Sequence, residues 1–463
     1  MFNTIGKFDL PKIRPTICSI AAYLGYQLQC RYLIDVGCGN ADELSEVSSV
    51  FKLVGLGHNS QGYARHVEWD FNRGSHTPID REILSQAVII CDELLGRLDH
   101  PVHLLDSLRS WLDSAPLCVL SVLEENCLGA GRTPVEFERY LRSQGFNVVF
   151  TGRAIRNITE VEKKKFVAVV ERNQRRDTFA NRSVPPAFRV LAIVAVYNEE
   201  DIITDSISHL ISQGIDVYVL DNWSTDSSFE LASQLIGRGV VAVERFPRSG
   251  PPRYFDLSAI LTRKEEIAKS IEADWFINSD ADEIRLSPWN GLNLREAIYR
   301  VDKEGYNAID NTIVVFPPVD NGFIPGASLQ THFKYFEFGQ HFSDFMRINA
   351  WKNIGQEISI APSGGHSVSF HNRRVYPYKF LTKHYAIRSQ THGEKKILVE
   401  RIARYEPEEK ARGWHSHYND VAGNATFLKD PSQLIPYDEE RFYEDWLVER
   451  LTGIGALSTA GFK

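Results

Sequence analysis

The chain has 463 residues, 43% of them hydrophobic and 24% charged, with a formal net charge of −8. That length predicts two or three domains, and the negative balance excludes a general nucleic-acid or anionic-membrane binder, which needs a basic face. The opening MFNTIGKFDLPKIRP lacks the apolar core of a signal peptide, and no apolar run reaches the ~18 residues of a membrane span. The six cysteines all precede residue 130 without a CxxC pair, so they read as reduced, mostly buried thiols of a cytoplasmic protein.

In chain order, YLIDVGCGNADEL (residues 32–44) reads as an apolar strand entering a glycine-rich turn and a helix start. Gly37 and Gly39 permit a tight turn and close approach of the backbone to a ligand. FKLVGLGHN supplies a second strand, AVIICDELLGRLDHP a strand and helix, PLCVLSVLEEN a fourth strand, and EFERYLRSQGFNVVFTGR a helix, turn and strand. Such alternation predicts a parallel, doubly wound sheet. Over residues 20–170 this half resembles the class I S-adenosylmethionine-dependent methyltransferases. DVGCGNA, with Asp35, Gly37 and Gly39, matches their first motif, AVIICDELLGRLDHPVHLLDSL resembles the segment after their fourth strand, and Asp70 in EWDFN resembles the acid near the adenine. The resemblance implies S-adenosylmethionine as a cofactor. One departure stands out: the family places Asp or Glu at the end of the second strand to hold the ribose hydroxyls, where this chain has Gly57, His58 and Asn59. A working methyltransferase and a degenerate domain kept for packing or docking both stay open.

Residues 171–188, ERNQRRDTFANRSVPPAF, are polar, basic and broken by Pro185-Pro186, and read as a linker. The rhythm then restarts. RVLAIVAVY is a strand apolar enough for burial on both faces. Asn198, with Asp201 three residues on, has the spacing of a helix cap, and Ile203, Ile207, Leu210 and Ile211 predict the buried stripe of that helix. VYVLDN, VVAVERF and WFINSDADE are the next three strands, separated by helices. Beyond residue 400 the text is mixed helix and loop. The expected domains are therefore 1–170, methyltransferase-like; 171–188, linker; 189–400, a second nucleotide-binding α/β domain; and 401–463, a mainly helical extension.

Polar residues gather at the predicted strand ends: Tyr197, Asn198 and Glu199 after the first, Asp221, Asn222 and Asp226 after the second, and Asp280, Asp282 and Glu283 after the fourth. In a parallel sheet all three groups share the edge where ligands bind. Oxygen ligands around a tight turn suit Mn²⁺ or Mg²⁺, which neutralises a nucleoside-diphosphate leaving group. Asp282 is the first choice of direct ligand, Asp280 reaches the ribose or the metal through water, and Glu283 fixes the turn.

VAVYNEEDIITDSISHLISQGIDVYVLDNWSTDSSFE resembles the opening of family 2-type glycosyltransferases, and DWFINSDADEI their DxD segment. The resemblance covers about residues 189–400 and implies a GT-A fold. By it Tyr197, Asn198, Glu199, Asp221 and Asp280 belong to the nucleotide-sugar site, and Arg263 meets the base or diphosphate. His366 in APSGGHSVSF resembles the late metal-binding histidine of GT-A enzymes. His384, in the HYxxRS-like KHYAIRSQTHGEKK, is its rival, and Arg388 or Lys395 is a phosphate ligand. The family's base normally falls within HFSDFMRINAW, which nominates Asp344, with Glu337 second.

The fold expected is α/β, two doubly wound Rossmann-like domains, the second of GT-A type. The function expected is metal-dependent transfer of a sugar from a nucleotide sugar, UDP-linked in the first instance, to a glycan, lipid-linked or small-molecule acceptor, with inversion implied by the resemblance alone. Two rivals remain: a glycan methyltransferase whose C-terminal half only binds a glycan or nucleotide, and a non-catalytic scaffold.

Overall fold

A computed structural model describes residues 17–38, 41–58, 61–71, 78–126, 133–158, 161–171, 183–289, 291–339, 342–404 and 425–446. The chain divides into two compact units: one is built on Arg182–Tyr437, the other on Phe8–Asn181 and Asp438–Lys463. Each carries its own multi-stranded sheet, so the fold is α/β twice over.

In the N-terminal unit the strands are β1 (Tyr32–Val36), β2 (Lys52–Leu56), β3 (Arg65–Val67), β4 (Ala87–Cys91), β5 (Leu117–Leu123), β6 (Asn147–Ile158) and β7 (Val161–Glu171). They lie in the order β3-β2-β1-β4-β5-β7-β6. β1 to β5 are mutually parallel, and β7 runs antiparallel to both its neighbours. All seven residues of β5 are buried, as an apolar strand covered on both faces must be. Helices α1 (Ile17–Gln27), α2 (Arg81–Leu84), α3 (Pro101–Trp111) and α4 (Pro134–Ser143) accompany the sheet. α3 opens on a proline, which loses no helical hydrogen bond there, and buries Leu104, Leu105, Leu108 and Trp111. Strand order reverses between β1 and β4, the crevice where such sheets bind ligands.

The second unit begins with β8 (Val190–Val196), β9 (Asp216–Asp221), β10 (Val240–Arg245) and β11 (Trp275–Asp280), parallel and in the order β10-β9-β8-β11. Here the switch point falls between β8 and β11. The sheet continues through antiparallel and mixed pairings of β12 (Glu283–Leu286), β13 (Ala308–Val315), β14 (Tyr335–Phe338), β15 (Arg347–Lys352), β16 (Val375–His384) and β17 (Ile435–Pro436). Its helices are α5 (Ile203–Ser212), α6 (Ser228–Ser233), α7 (Leu257–Ser270), α8 (Leu294–Lys303), α9 (Leu329–His332), α10 (Phe342–Phe345) and α11 (Gln390–Gly393). No helix among the described residues is long and apolar enough to cross a membrane.

One local expectation fails. α5 starts at Ile203 without a side-chain cap, and Asn198 sits five residues earlier at φ 53°. Asparagine tolerates that left-handed conformation. There its Oδ1 accepts the Thr225 amide at 2.8 Å, so it ties the loop after β8 to the loop after β9 instead of capping a helix.

β9, β10 and α7 are clamped by one half-buried carboxylate. Glu244 accepts from Arg263 at 2.9 and 3.1 Å and from the Tyr218 hydroxyl at 2.5 Å. Burial alone would raise its pKa, but Arg263, Tyr218 and Arg248 together hold it down at about 2. A depressed carboxylate stabilises the fold fully above its ordinary pKa of 4.5 and loses that contribution as pH falls toward about 2. Glu244→Gln should therefore cost about 1–2 kcal/mol at neutral pH once solvent screening is counted, with the gap to wild type narrowing below pH ~4.5 in denaturant melts. A gap independent of pH would contradict the clamp.

Candidate functional site

The parallel register aligns the strand ends. Val196 pairs with Asp221, and Ala195 with Asp280, so Glu199, Asp221, Asp280 and Asp282 emerge along one carboxyl edge. Glu199 and Asp282 flank the β8/β11 switch crevice, and both are buried. Between them stands an ammonium: Lys396 Nζ lies 2.5 Å from Glu199 Oε1 and 2.9 Å from Asp282 Oδ2. Each acid has a second cationic partner. Arg388 reaches the other Glu199 oxygen at 2.5 Å and Asp201 at 2.7 Å, while His384 Nε2 is 3.5 Å from Asp282 Oδ1. Burial would raise the Asp282 pKa, but Lys396 and His384 outweigh it and hold the carboxyl well below its usual range. In return, Asp282 raises His384 against the opposing effect of burial.

Arg388 and Lys396 come from one segment, residues 388–404, which lies over the edge, whereas His384 ends β16. A π-helical turn, Glu394–Arg401, buries Lys396 while Lys395 stays exposed beside Glu400. Glu400 accepts from Asn198 Nδ2 at 2.8 Å. Arg404 donates to Asn222 Oδ1 at 3.1 Å and stacks 3.8 Å over the Tyr197 ring. The nominated Tyr197, Asn198 and Glu199 are thus all engaged by this strap. Asp221 is fully buried, accepts the Ser224 amide at 3.1 Å, and lies 3.8 Å from Arg245 Nε; burial raises its pKa. Arg245 ends the third strand, VVAVER, the one strand end from which the sequence reading took no residue. The same strand-end logic would have found it. Lys396 had no local signal, since its partners lie 114 and 197 residues away.

Asp280 differs from its neighbours: its side chain is 56% exposed, 3.6 Å from buried Lys264 Nζ. Glu283 takes the turn-fixing place, bonded by Arg285 at 2.8 Å and Arg347 at 3.0 Å. Arg263 is spent on Glu244 and Glu266, beside a 360 Å³ cleft lined by Phe246, Ser258 and Thr262. His366 is half-buried on a turn whose Gly365 carbonyl accepts from Asn278 on β11 at 3.0 Å. Gly365 has φ 85°, and a Cβ there would lie 3.0 Å from Leu261, which explains the glycine.

Of the two base candidates, Asp344 is on α10, and Arg347 links that helix to the 280–283 turn, bonding Ser343 O at 3.4 Å and Glu283 at 3.0 Å. Glu337 pairs across strands with Val315, Val315 with His384, and His384 with Glu283. Three strand spacings put it about 14 Å from Glu283.

For a divalent cation the fit is one-sided. Asp282 Oδ1 and His384 Nε2, at 3.5 Å, stand near the spacing of adjacent octahedral ligands (about 3 Å), but Asp282 Oδ2 is held by Lys396. Among the described residues, Glu199, Asp201 and His392 also group as possible ligands. Arg388 already pairs with both acids and Lys396 with Glu199, and burial with the Arg388 and Lys396 cations lowers His392 to about 2, which disfavours a further cation there.

At the N-terminal switch crevice the chain fills its own cradle. Tyr63 Oη donates to Asp35 Oδ2 at 2.5 Å. A Cβ on Gly55 would lie 2.9 Å from the Tyr63 ring and 3.0 Å from Cys38 Sγ, and one on Gly37 (φ 82°) would lie 2.9 Å from Leu94. These glycines admit side chains of the chain itself. Asp70 is exposed beyond β3, while Gly39 and Asn59 lie outside the described residues. Lys165 holds Asp92 at 3.0 Å and also pairs with Glu93. The described residues of this crevice therefore do not fit S-adenosylmethionine unless Tyr63 moves.

No family model matches the chain. A poly(ribitol-phosphate) β-glucosyltransferase of Bacillus spizizenii is 26% identical over 148 residues, 27% of this chain and 23% of that protein. The chain therefore spans about a quarter of the length of the curated relative it matches. Solved methyltransferases align with about a third of the chain. The N-methyltransferase NodS of Bradyrhizobium japonicum covers 33% of this chain and 92% of its own, at 11% identity and TM-score 0.24. S-adenosylmethionine-dependent methyltransferases of Methanosarcina mazei (31% and 93%, 12% identity, TM-score 0.23) and Aquifex aeolicus (34% and 93%, 13% identity, TM-score 0.23) are similar in the same degree. The strand orders, not these likenesses, carry the fold.

The filled cradle makes a prediction for calorimetric titration with S-adenosylmethionine. Wild type should show at most millimolar binding, and Tyr63→Ala should tighten it by on the order of tenfold. Micromolar binding by wild type would contradict the account.

Proposed function

We propose that the Arg182–Tyr437 unit is a glycosyltransferase that moves a sugar from a nucleotide sugar, UDP-linked in the first instance, to an acceptor hydroxyl with inversion. The observation that carries this reading is the pair Glu199 and Asp282 across a switch crevice, with Lys396 and Arg388 between and beside them. Such a crevice suits a diphosphate that gains charge as its bond to the sugar breaks. The partial match to a β-glucosyltransferase supports the same class, and the acceptor is a glycan, a lipid-linked sugar or a small molecule.

The residues divide the work as follows. Tyr197, Asp221 and Asn222 form the nucleoside end of the edge, and Arg404 clears the Tyr197 ring when a base stacks there. Asp280, the exposed acid, meets the ribose. Asp344 takes the proton from the acceptor hydroxyl, because its helix is tied to the DxD turn through Arg347. A Mn²⁺ or Mg²⁺ ion, when bound, would be held by Asp282 Oδ1, His384 and Asp280 and would help neutralise the departing diphosphate. His366 follows Gly365, whose carbonyl Asn278 of β11 holds, and shapes this wall. The N-terminal unit, with its filled cradle, is kept for packing or docking.

A donor-hydrolysis screen tests the reading. Nucleotide sugars are incubated with Mn²⁺, and release of free nucleotide is measured. One donor should be hydrolysed, and Asp282→Ala should lower that rate by on the order of 10²-fold with the fold intact. Hydrolysis of no donor, together with no binding of any nucleoside diphosphate, would overturn it.

A further inference from the structure

The strap leaves one charged group unaccounted for by packing. Lys396 is 4% exposed, yet it is not dedicated to either of its partners. Glu199 keeps Arg388, and Asp282 keeps His384. An ammonium has three donors, and two are used, on Glu199 and Asp282; the third has no partner among the described residues. The head group stands at the β8/β11 switch point, where sheet topology independently locates a ligand. It arrives on a π-helical turn, a local distortion often kept at functional positions.

Resting on the glycosyltransferase reading, we propose that Lys396 is a diphosphate-binding residue of the donor site. It is the chain's own cation, poised between two acids until the phosphate oxygens of a nucleoside diphosphate take its open donor and part of its charge. The physical logic is exchange. A compact ammonium is a good phosphate ligand, and replacing one carboxylate contact by a phosphate leaves each acid a second cation. Its exposed neighbour Lys395, paired with Glu400 on the outer face, has no such role. The consequence is a donor site that retains diphosphate affinity when divalent metal is stripped.

The test is calorimetric titration of the full chain with UDP, and with GDP, CDP and ADP if UDP is silent, in excess Mn²⁺ and in EDTA. Wild type should bind in both, more weakly in EDTA. Lys396→Met should weaken binding in EDTA by about 10- to 100-fold, the range of one charge-assisted hydrogen bond, with a smaller loss in Mn²⁺. Lys396→Arg, which keeps the charge, should restore most of the loss. Thermal melts check folding, and Lys396→Gln replaces the methionine variant if that one melts early, with the same loss expected. Wild-type binding that requires Mn²⁺ and is unaffected by Lys396→Met or Lys396→Gln would overturn the role of Lys396 and leave the donor-site reading intact. Absence of nucleoside-diphosphate binding by wild type in either condition would sink that reading and this inference with it.

Discussion

The architecture of the second unit depends on neutralising carboxylates that the sheet drives into one crevice. Glu199, Asp201 and Asp282 lie at the ends of adjacent strands with little access to water. An uncompensated buried charge costs several kcal/mol, so such an edge is not stable alone. Compensation comes from Arg388 and Lys396, nearly two hundred residues beyond Glu199 in the chain. The strap and the sheet edge therefore depend on one another, and the strap is fixed further by Glu400 on Asn198 and by Arg404 stacked on Tyr197.

The two crevices make an instructive pair. Both lie at the switch point of a parallel sheet, and both are filled by the chain itself. In the N-terminal sheet the filler is Tyr63, Cys38 and Leu94, against glycines whose missing Cβ atoms leave room for them. Packing of that kind competes with a ligand for the same space. In the C-terminal sheet the filler beside the acids is charge, held by ion pairs and not by apolar packing. The two crevices thus share a topology and differ in filler, apolar and aromatic side chains in one and ion pairs in the other.

The sequence made much of this edge readable. Strands β8, β9 and β11 announce themselves as apolar runs ending in polar clusters, and a parallel register then brings Glu199, Asp221 and Asp280 together. Glu283 as the turn's structural acid was legible from its spacing, although its partners Arg285 and Arg347 were not. The helix cap assigned to Asn198 went astray because cap spacing is local, whereas Asn198 is held by Thr225 and Glu400 from distant parts of the chain. Lys396 was invisible for the same reason. The local pattern of residues 394–404 marks neither lysine as the partner of Glu199 and Asp282, and the π-turn buries Lys396. The departure LVGLGHNS pointed to trouble in the N-terminal crevice, but Tyr63, the residue that fills it, lies outside the motif.

The central claim is that the β8/β11 crevice is a nucleoside-diphosphate site built on acids and the strap's own cations. The most direct measurement is a crystal structure of the full chain with a bound nucleoside diphosphate and Mn²⁺. The account predicts the diphosphate at the β8/β11 crevice, touching Lys396, with Arg404 turned away from Tyr197 and Arg388 still on Glu199. Nucleotide bound instead in the cleft beside Arg263, or at the N-terminal sheet, with Lys396 still bridging Glu199 and Asp282, would contradict it.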